Sequence, residues 1–365
     1  MNIIFIFIIL ILIIFFLSRK KEHFNNLSYD TLFYKCNKYV ITKVIKDIFK
    51  NYNIGRTFNQ NKENWKLFMP CTYNTVESEL KNLEITNNNK LIFGINGCDS
   101  LASKNNLWLI LEKKYGRKKA STLMPETWIL HNKNHMELFK KQYNEKNTYI
   151  MKKNIQRKKG LHLTNMLNEI IDNSDEKFRV VQKYMKNTFL LNKRKINLRI
   201  YLLVICKNNK IESFVHKNGK CIYTNKDYNN TLDLEENITS LNLDYDIYNK
   251  NPFDLIELKQ YFNKHKLNYK KLYNNLINNL TLLHNTYKHN ICKLKGNENN
   301  LNFQLFGLDY IFDNDLNIFL LEINKGPDMN SKNNIDYKLK YNIMEDVFIK
   351  VGLINSNKAN MFIKL

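Results

Sequence analysis

Apolar and polar positions along this chain fall into short blocks whose period changes several times. INLRIYLLVIC (196–206) is an almost unbroken apolar run and reads as one long strand. KIESFVHK (210–217) follows after KNN, a turn that predicts a return beside that strand. LIFGING (91–97) reads as a strand ending in a glycine turn, and NTYIMKKN (147–154) and FRVVQKYM (178–185) as further strands. LASKNNLWLILEKKYG (101–116) carries helical spacing and stops at Gly116. Helical spacing also marks YVITKVIKDIFK (39–50), residues 256–291 and residues 337–350. Strands and helices mix without strict alternation, which predicts an α+β, or mixed α/β, fold.

FGLDYIFDNDLNIFLLEIN (306–324) reads as a hairpin of two apolar strands around DNDLN. Asp309 interrupts the first strand, and Glu322 and Asn324 interrupt the second. Glu322 and Asn324 are two apart and share a strand face. A turn setting Asp313 opposite Leu316 sets Leu320 opposite Asp309, and Asp309 then joins that face. A turn one residue longer or shorter breaks the arrangement, because register parity decides the face. Three oxygen donors on one face form part of a site for a hard cation such as Mg²⁺, which shares its shell with phosphates. Two desolvated carboxylates without a cation would be costly. The other reading is an edge hairpin with solvated acids, and the turn acids Asp313 and Asp315 fit it.

Three weaker signals lie upstream. Lys152 and Lys153 end a strand and lead into the basic loop QRKKG, closed by Gly160; a lysine beside such a loop can hold phosphates. VVQKYM has the form of a nucleotide-binding hinge, with exposed backbone groups reading a base and Gln182 and Lys183 bonding to it. Arg199 sits among Leu198, Ile200 and Tyr201, and an arginine inside an apolar strand needs an anionic partner.

The composition adds bounds. The 365 residues suffice for one large composite domain or two ordinary ones. Lys+Arg number 57 against 34 Asp+Glu, a net charge of +23 that favours acidic partners, although an Asn-, Lys- and Ile-rich composition also produces such a bias. No RRM-like, zinc-finger or helix-turn-helix signature is present, so a nucleic-acid partner is not expected. The six cysteines show no paired spacing, which points to a reduced compartment rather than a disulfide framework. Residues 3–17, IIFIFIILILIIFFL, hold no polar side chain and precede Arg19, Lys20 and Lys21. That pattern predicts a single-pass membrane anchor with the body facing the cytosol; the alternative is an uncleaved anchor facing the ER.

In order, NWKLFMPCTYNTVESEL (64–80), GINGCDSLASKNNLW (94–108), TLMPETWIL (122–130), VVQKYMKNTFLLNKRKINLRIYLLV (180–204), ENITS (236–240) and FQLFGLDYIFDNDLNIFLLEINKGP (303–327) resemble the tubulin–tyrosine ligase-like family, whose fold is ATP-grasp. The resemblance covers roughly residues 62–350. It implies an ATP-dependent ligase that adds an amino acid such as Tyr, Glu or Gly to a protein carboxylate through an acyl-phosphate. It implies ATP and Mg²⁺, a free amino acid, and an acidic, tubulin-like protein tail as partners. By position it makes Asp309, Glu322 and Asn324 the magnesium ligands. Lys104 and Lys152 become phosphate-contacting lysines, Arg157 and Gly160 remnants of the phosphate loop, and Gln182, Lys183, Tyr184 and Met185 the adenine hinge. Lys195 and Arg199 match the basic pair of a K-x-D-x-R segment.

Three positions depart from that pattern. The acid of K-x-D-x-R is Asn197, the phosphate loop keeps Arg157 and Gly160 but loses a glycine, and a second family arginine is Ile222. Lys220, two residues earlier on the same strand face, is the candidate replacement, with His216 and Lys217 as others. The departures leave a second reading, a catalytically weak ATP-binding adaptor for acidic tails at a membrane. The expected organisation is an anchor helix at 1–18, a basic Asn-rich linker at 19–61, the ligase domain at 62–350 and a tail at 351–365.

Overall fold

The structure, a computed structural model, describes residues 31–34, 41–58, 65–72, 75–83, 85, 89–153, 160–173, 178–208, 210–239, 241–292 and 299–365. The apolar run 3–17 and Arg157 lie outside the described residues. Among the described residues no helix is long and apolar enough to cross a membrane.

Fifteen strands are formed by the described residues: β1 (Thr31–Tyr34), β2 (Ile54–Thr57), β3 (Trp65–Phe68), β4 (Leu91–Phe93), β5 (Thr127–Ile129), β6 (Tyr149–Lys152), β7 (Leu161–Thr164), β8 (Val180–Lys183), β9 (Leu190–Leu191), β10 (Arg194–Lys207), β11 (Lys210–His216), β12 (Lys220–Tyr223), β13 (Leu301–Phe312), β14 (Ile318–Asn324) and β15 (Phe362–Lys364). Eleven form one large sheet in the order β15-β11-β10-β13-β4-β3-β1-β2. Strands β9 and β12 also pair with β10, and β14 with β13. A second sheet runs β5-β8-β6-β7. Parallel and antiparallel pairs mix within the large sheet, as the blocks of changing period predict.

Strand alternation divides the core between the two faces of the large sheet. Leu198, Ile200, Leu202, Phe306, Leu308 and Tyr310 belong to a cluster shared with the helices Lys104–Tyr115, Leu255–Lys264 and Tyr269–Tyr287. Tyr201, Leu203, Phe303 and Leu305 point the other way, into a cluster with the helices Lys43–Asn51 and Asn334–Lys350. The small sheet has its own core, in which Trp128 and Tyr149 pack on Phe139.

Residues 19–61, read from sequence as a linker, contribute more than that. Strands β1 and β2 and the helix Lys43–Asn51, capped by Thr42, belong to the large sheet and its core. The helix follows the spacing of residues 39–50, whereas the two four-residue strands are too short for a periodic signal. The 351–365 stretch is also anchored: β15 pairs with β11, and buried Asp346 accepts from the Met361 N–H while facing His216 and Lys358.

The cysteines correct a second expectation. Cys206 and Cys292 are joined with their Cα atoms 6.1 Å apart, and Cys71 is also disulfide-bonded. Their 86-residue separation hid the first pairing; only the fold brings the end of β10 beside the segment following Tyr269–Tyr287. Cys98 and Cys221 are free and buried.

Candidate active site

Cross-strand register builds one charged row across four strands. Lys220 of β12 faces Arg199 of β10, Arg199 faces Asp309 of β13, and Asp309 faces Glu322 of β14. Directly opposed residues share a sheet face. Asn324 faces Gly307 in the next row. The row lies on the face that holds Tyr201, Leu203, Phe303 and Leu305. Along β10 and β13 that face passes from apolar core to polar site between residues 201 and 199 and between 305 and 309.

The hairpin reaches this arrangement by a different route from the one its sequence suggests. Asp313 and Asn317 close the turn, with the Asp313 N–H donating to the Asn317 carbonyl at 3.1 Å and Leu316 in the left-handed region at φ 63°. The loop is therefore one residue longer than expected, and Leu320 faces Tyr310 rather than Asp309. Continued unchanged, that register would turn Glu322 to the opposite face. A bulge between Asp309 and Tyr310, with Leu321 unpaired, adds the missing residue and returns Glu322 to Asp309.

Arg199 finds the anionic partner its position demands. Its guanidinium binds Asp309 at both oxygens, from Nε to Oδ1 and from Nη2 to Oδ2 at 2.9 Å. Gly307 makes this possible: a Cβ there would lie 3.0 Å from Pro327 and 3.1 Å from Arg199 Cδ. Burial and the neighbouring Glu322 outweigh Arg199 and raise the Asp309 carboxyl above its usual range. Burial would raise Glu322 as well, but Lys104, Lys152 and Arg199 hold it down at about 2.

Two lysines converge on Glu322 from different elements. Lys104 opens the helix Lys104–Tyr115, and its buried Nζ lies 3.5 Å from Glu322 Oε2. Lys152 ends β6 and donates to Gln182 Oε1 at 2.6 Å. Burial pushes the Lys152 ammonium down to about 8 against the pull of Glu322. Gly160 supports this strand end, its carbonyl accepting from Lys153 N–H at 2.9 Å where a Cβ would meet Lys153 at 2.7 Å.

The hinge differs from its sequence reading. Gln182 is buried, and its amide is committed to Lys152, to Thr127 Oγ1 at 2.8 Å and to the Pro125 carbonyl at 3.2 Å. It positions Lys152 rather than facing outward to read a base. The Lys183 and Tyr184 N–H groups pair with the carbonyls of Glu126 and Thr148, and the Lys183 side chain is exposed. Lys195 is buried under the Tyr184 and Tyr228 rings, 4.3 and 3.9 Å from their centres, and donates to Tyr184 Oη and, at 3.4 Å, to the Met185 carbonyl. Burial, then Lys186, push its ammonium down to about 7.

Lys220 stands beside Arg199 but its ammonium is already bound, to Asp336 at 2.8 Å and Tyr245 Oη at 3.0 Å. Burial outweighs Asp336 and lowers its pKa. Asp336 was not evident from sequence; its one signal is the four-residue spacing to Lys340, which also binds it at 3.0 Å. Asn197 and Ile222, two departures from the family pattern, are direct register partners. The acid and the second arginine are thus both absent from one cross-strand pair, which leaves no unpaired charge there. Asn197 Nδ2 donates to Thr239 Oγ1 at 2.8 Å, and its buried Oδ1 has no partner among the described residues.

The donor set fits a hard dication and a polyphosphate. Asp309, Glu322 and Asn324 offer only hard side-chain oxygens as ligands, and one of two facing carboxylates is driven toward its neutral form. Lys104 and Lys152 flank them from two other elements.

A sequence profile described as the Tubulin-tyrosine ligase family matches residues 81–360. Among curated relatives, tubulin polyglutamylase TTLL6 of Homo sapiens is 24% identical over 56% of this chain and 24% of its own length. Probable tubulin polyglutamylase ttll-9 of Caenorhabditis elegans is 28% identical over 45% of this chain and 40% of its own. Tubulin glycylase 3C of Tetrahymena thermophila is 28% identical over 59% of this chain and 22% of its own. The chain thus spans well under half the length of each of these relatives. With its two sheets and the charged row across β10, β12, β13 and β14, the chain belongs to the tubulin-tyrosine ligase family.

Proposed function

We propose that this protein is an ATP-dependent ligase that joins an amino acid to a carboxylate of an acidic, tubulin-like protein tail. The observation that carries the reading is the row Arg199–Asp309–Glu322, flanked by Lys104 and Lys152. Asp309, Glu322 and Asn324 would hold Mg²⁺. The chemistry supplied by Mg·ATP is phosphorylation of the acceptor carboxylate with loss of ADP, after which the amine displaces inorganic phosphate, loses a proton and forms the amide. Lys104 and Lys152 would hold the phosphates, Arg199 would neutralise charge developing at the transferred group, and the fixed ion pair with Asp309 orients it in advance. Lys195, with Tyr184 and Met185, would bound the nucleotide side.

Relatives named polyglutamylases and glycylases support amino-acid addition to a protein tail. Glutamate suits the excess of Lys and Arg best. The apolar run 3–17 would hold the ligase at the cytosolic face of a membrane. The test is incorporation of labelled glutamate, glycine and tyrosine into an acidic tail peptide, with ADP release measured in parallel. Incorporation matched by ADP release supports the ligase. Mg·ATP binding without incorporation favours the adaptor reading, which the neutral Asn197–Ile222 pair and the Asp336-bound Lys220 support.

A further inference from the structure

We infer that Arg117 is a positioning residue that fixes the two phosphate-side lysines relative to each other, and so sets affinity for the nucleotide. The inference rests on the ligase reading of the same site, and Arg117 itself touches none of the residues assigned to metal or phosphate. Lys104 and Lys152 belong to different parts of the fold: one to the helix Lys104–Tyr115 packed on the large sheet, the other to the small sheet. A polyphosphate held by both needs their separation fixed to within about 0.5 Å, the tolerance of a binding constellation.

Arg117 joins the two parts with three hydrogen bonds. Nη1 donates to Glu112 Oε1 at 2.7 Å, Nε to Glu126 Oε1 at 2.9 Å, and Nη2 to the Thr127 carbonyl at 2.9 Å. Its guanidinium also stacks 5.2 Å from the Trp108 ring centre and 4.9 Å from that of Trp128. Glu112 and Trp108 lie on the helix that Lys104 begins. Thr127 and Trp128 lie on β5, where Thr127 is the register partner of Gln182. The path on that side then runs Thr127 Oγ1 to the Gln182 amide, and Gln182 Oε1 to Lys152 Nζ. The Glu126 carbonyl meanwhile accepts from the Lys183 N–H. His135 Nε2, 3.2 Å from the other Glu112 oxygen, restrains that carboxylate further.

Each feature uses what distinguishes arginine from lysine. The planar fork reaches three acceptors at once and stacks on aromatic faces, whereas one ammonium cannot do both. Glu126 and Glu112 satisfy the charge, so the joint carries no net demand for an external anion.

The test measures the dissociation constant of Mg with a non-hydrolysable ATP analogue by calorimetry, and the thermal midpoint without ligand, for the full chain and for Arg117→Lys, Glu126→Gln and the double variant. The expected result is an affinity about tenfold weaker in Arg117→Lys, a smaller loss in Glu126→Gln, and a double variant no worse than Arg117→Lys. A purely structural role lowers the thermal midpoint but leaves the dissociation constant of the folded protein unchanged within twofold, and that outcome overturns the inference. Should Arg117→Lys fail to fold, Glu126→Gln and Glu112→Gln carry the same comparison, and unchanged affinity in both overturns it equally. If the unsubstituted chain binds no Mg·ATP analogue, the ligase reading falls and this inference falls with it. Wild-type binding that the variants do not alter defeats the inference alone.

Discussion

Glu322 is the most informative single residue, because its ionised state depends on cations from three other elements. Replacing it by Gln keeps the shape and removes the charge that a dication needs most. Glu322→Gln is expected to abolish most Mg·ATP-dependent thermal stabilisation, and to lower the ligand-free midpoint as well because Lys104 loses its buried partner. Ligand at about a hundred times its dissociation constant stabilises by about 2.7 kcal/mol, so the loss is readable in a thermal shift; equal shifts in the two proteins would remove Glu322 from the metal site. Lys152 gives a pH test. Its folded-state pKa of about 8 lies below the value of 10.5 for a free lysine. Between those values the unfolded chain keeps a proton that the folded chain has lost, so this residue makes the ligand-free protein more stable as pH rises through that window. Phosphate binding needs the ammonium. Mg·ATP affinity is therefore expected to fall above pH 8, by up to about tenfold per pH unit, with proton uptake on binding. A flat profile from pH 7 to 9.5, equal to that of Lys152→Met, would exclude Lys152 as a phosphate ligand.

At the scale of elements, the hairpin shows what register does. Deleting Leu321 joins Leu320 directly to Glu322 and leaves Glu322 opposite Asp309 in a regular ladder. Inserting one alanine after Leu321 instead moves Glu322 off Asp309, to Leu308 and the apolar cluster if the bulge is kept or to Gly307 if the ladder becomes regular. The deletion is expected to keep Mg·ATP affinity within about threefold and the insertion to destroy it, a contrast that ordinary packing damage does not produce. Equal losses in both would mean that something other than face parity places the acids. The same hairpin marks how far the sequence could be read. The three oxygen-bearing residues were legible, because a polar side chain in an apolar strand is costly unless it has a role. The three-residue loop and the bulge were not, since Leu316 is an unusual residue at positive φ and nothing in its identity announces it. Each shifts the register by one, and the two together preserve the parity that the simpler hairpin had suggested. Arg199 was legible as a paired arginine, although its partner 110 positions away required the β10–β13 pairing. The neighbours of Gln182 resemble a hinge and suggest that it faces a base; its burial against Thr127 and Lys152 depends on the separate sheet. Strands β1 and β2 and the Cys206–Cys292 link share the same limit: short segments and long separations leave no periodic trace.

At the scale of the molecule, the two cores on opposite faces of one large sheet explain why the site lies where it does. One face is apolar along β10 and along β13 from Phe306 onward, while the other ends at Tyr201 and Leu305 and continues as Arg199, Asp309 and Glu322. The site carries only a small excess of positive charge, with Arg199, Lys104, Lys152, Lys220 and Lys340 set against Asp309, Glu322 and Asp336. The net charge of +23 must therefore reside mainly outside it, on side chains facing solvent. Such charge acts over distance, raising encounter with acidic partners, and salt screens it beyond a Debye length of about 8 Å at physiological ionic strength. Phosphates held between Lys104 and Lys152, as proposed, would meet buried ammoniums, where screening is weak. The binding of an acidic tail peptide is thus expected to weaken steeply between 50 and about 300 mM salt, chiefly through its association rate, while Mg·ATP affinity changes several times less. Peptide and nucleotide affinities titrated against salt on the same protein decide the matter. Parallel slopes would place the peptide in the buried charged row. A flat peptide profile would mean that the surface lysines reflect composition alone, and that tail recognition depends on contacts other than charge.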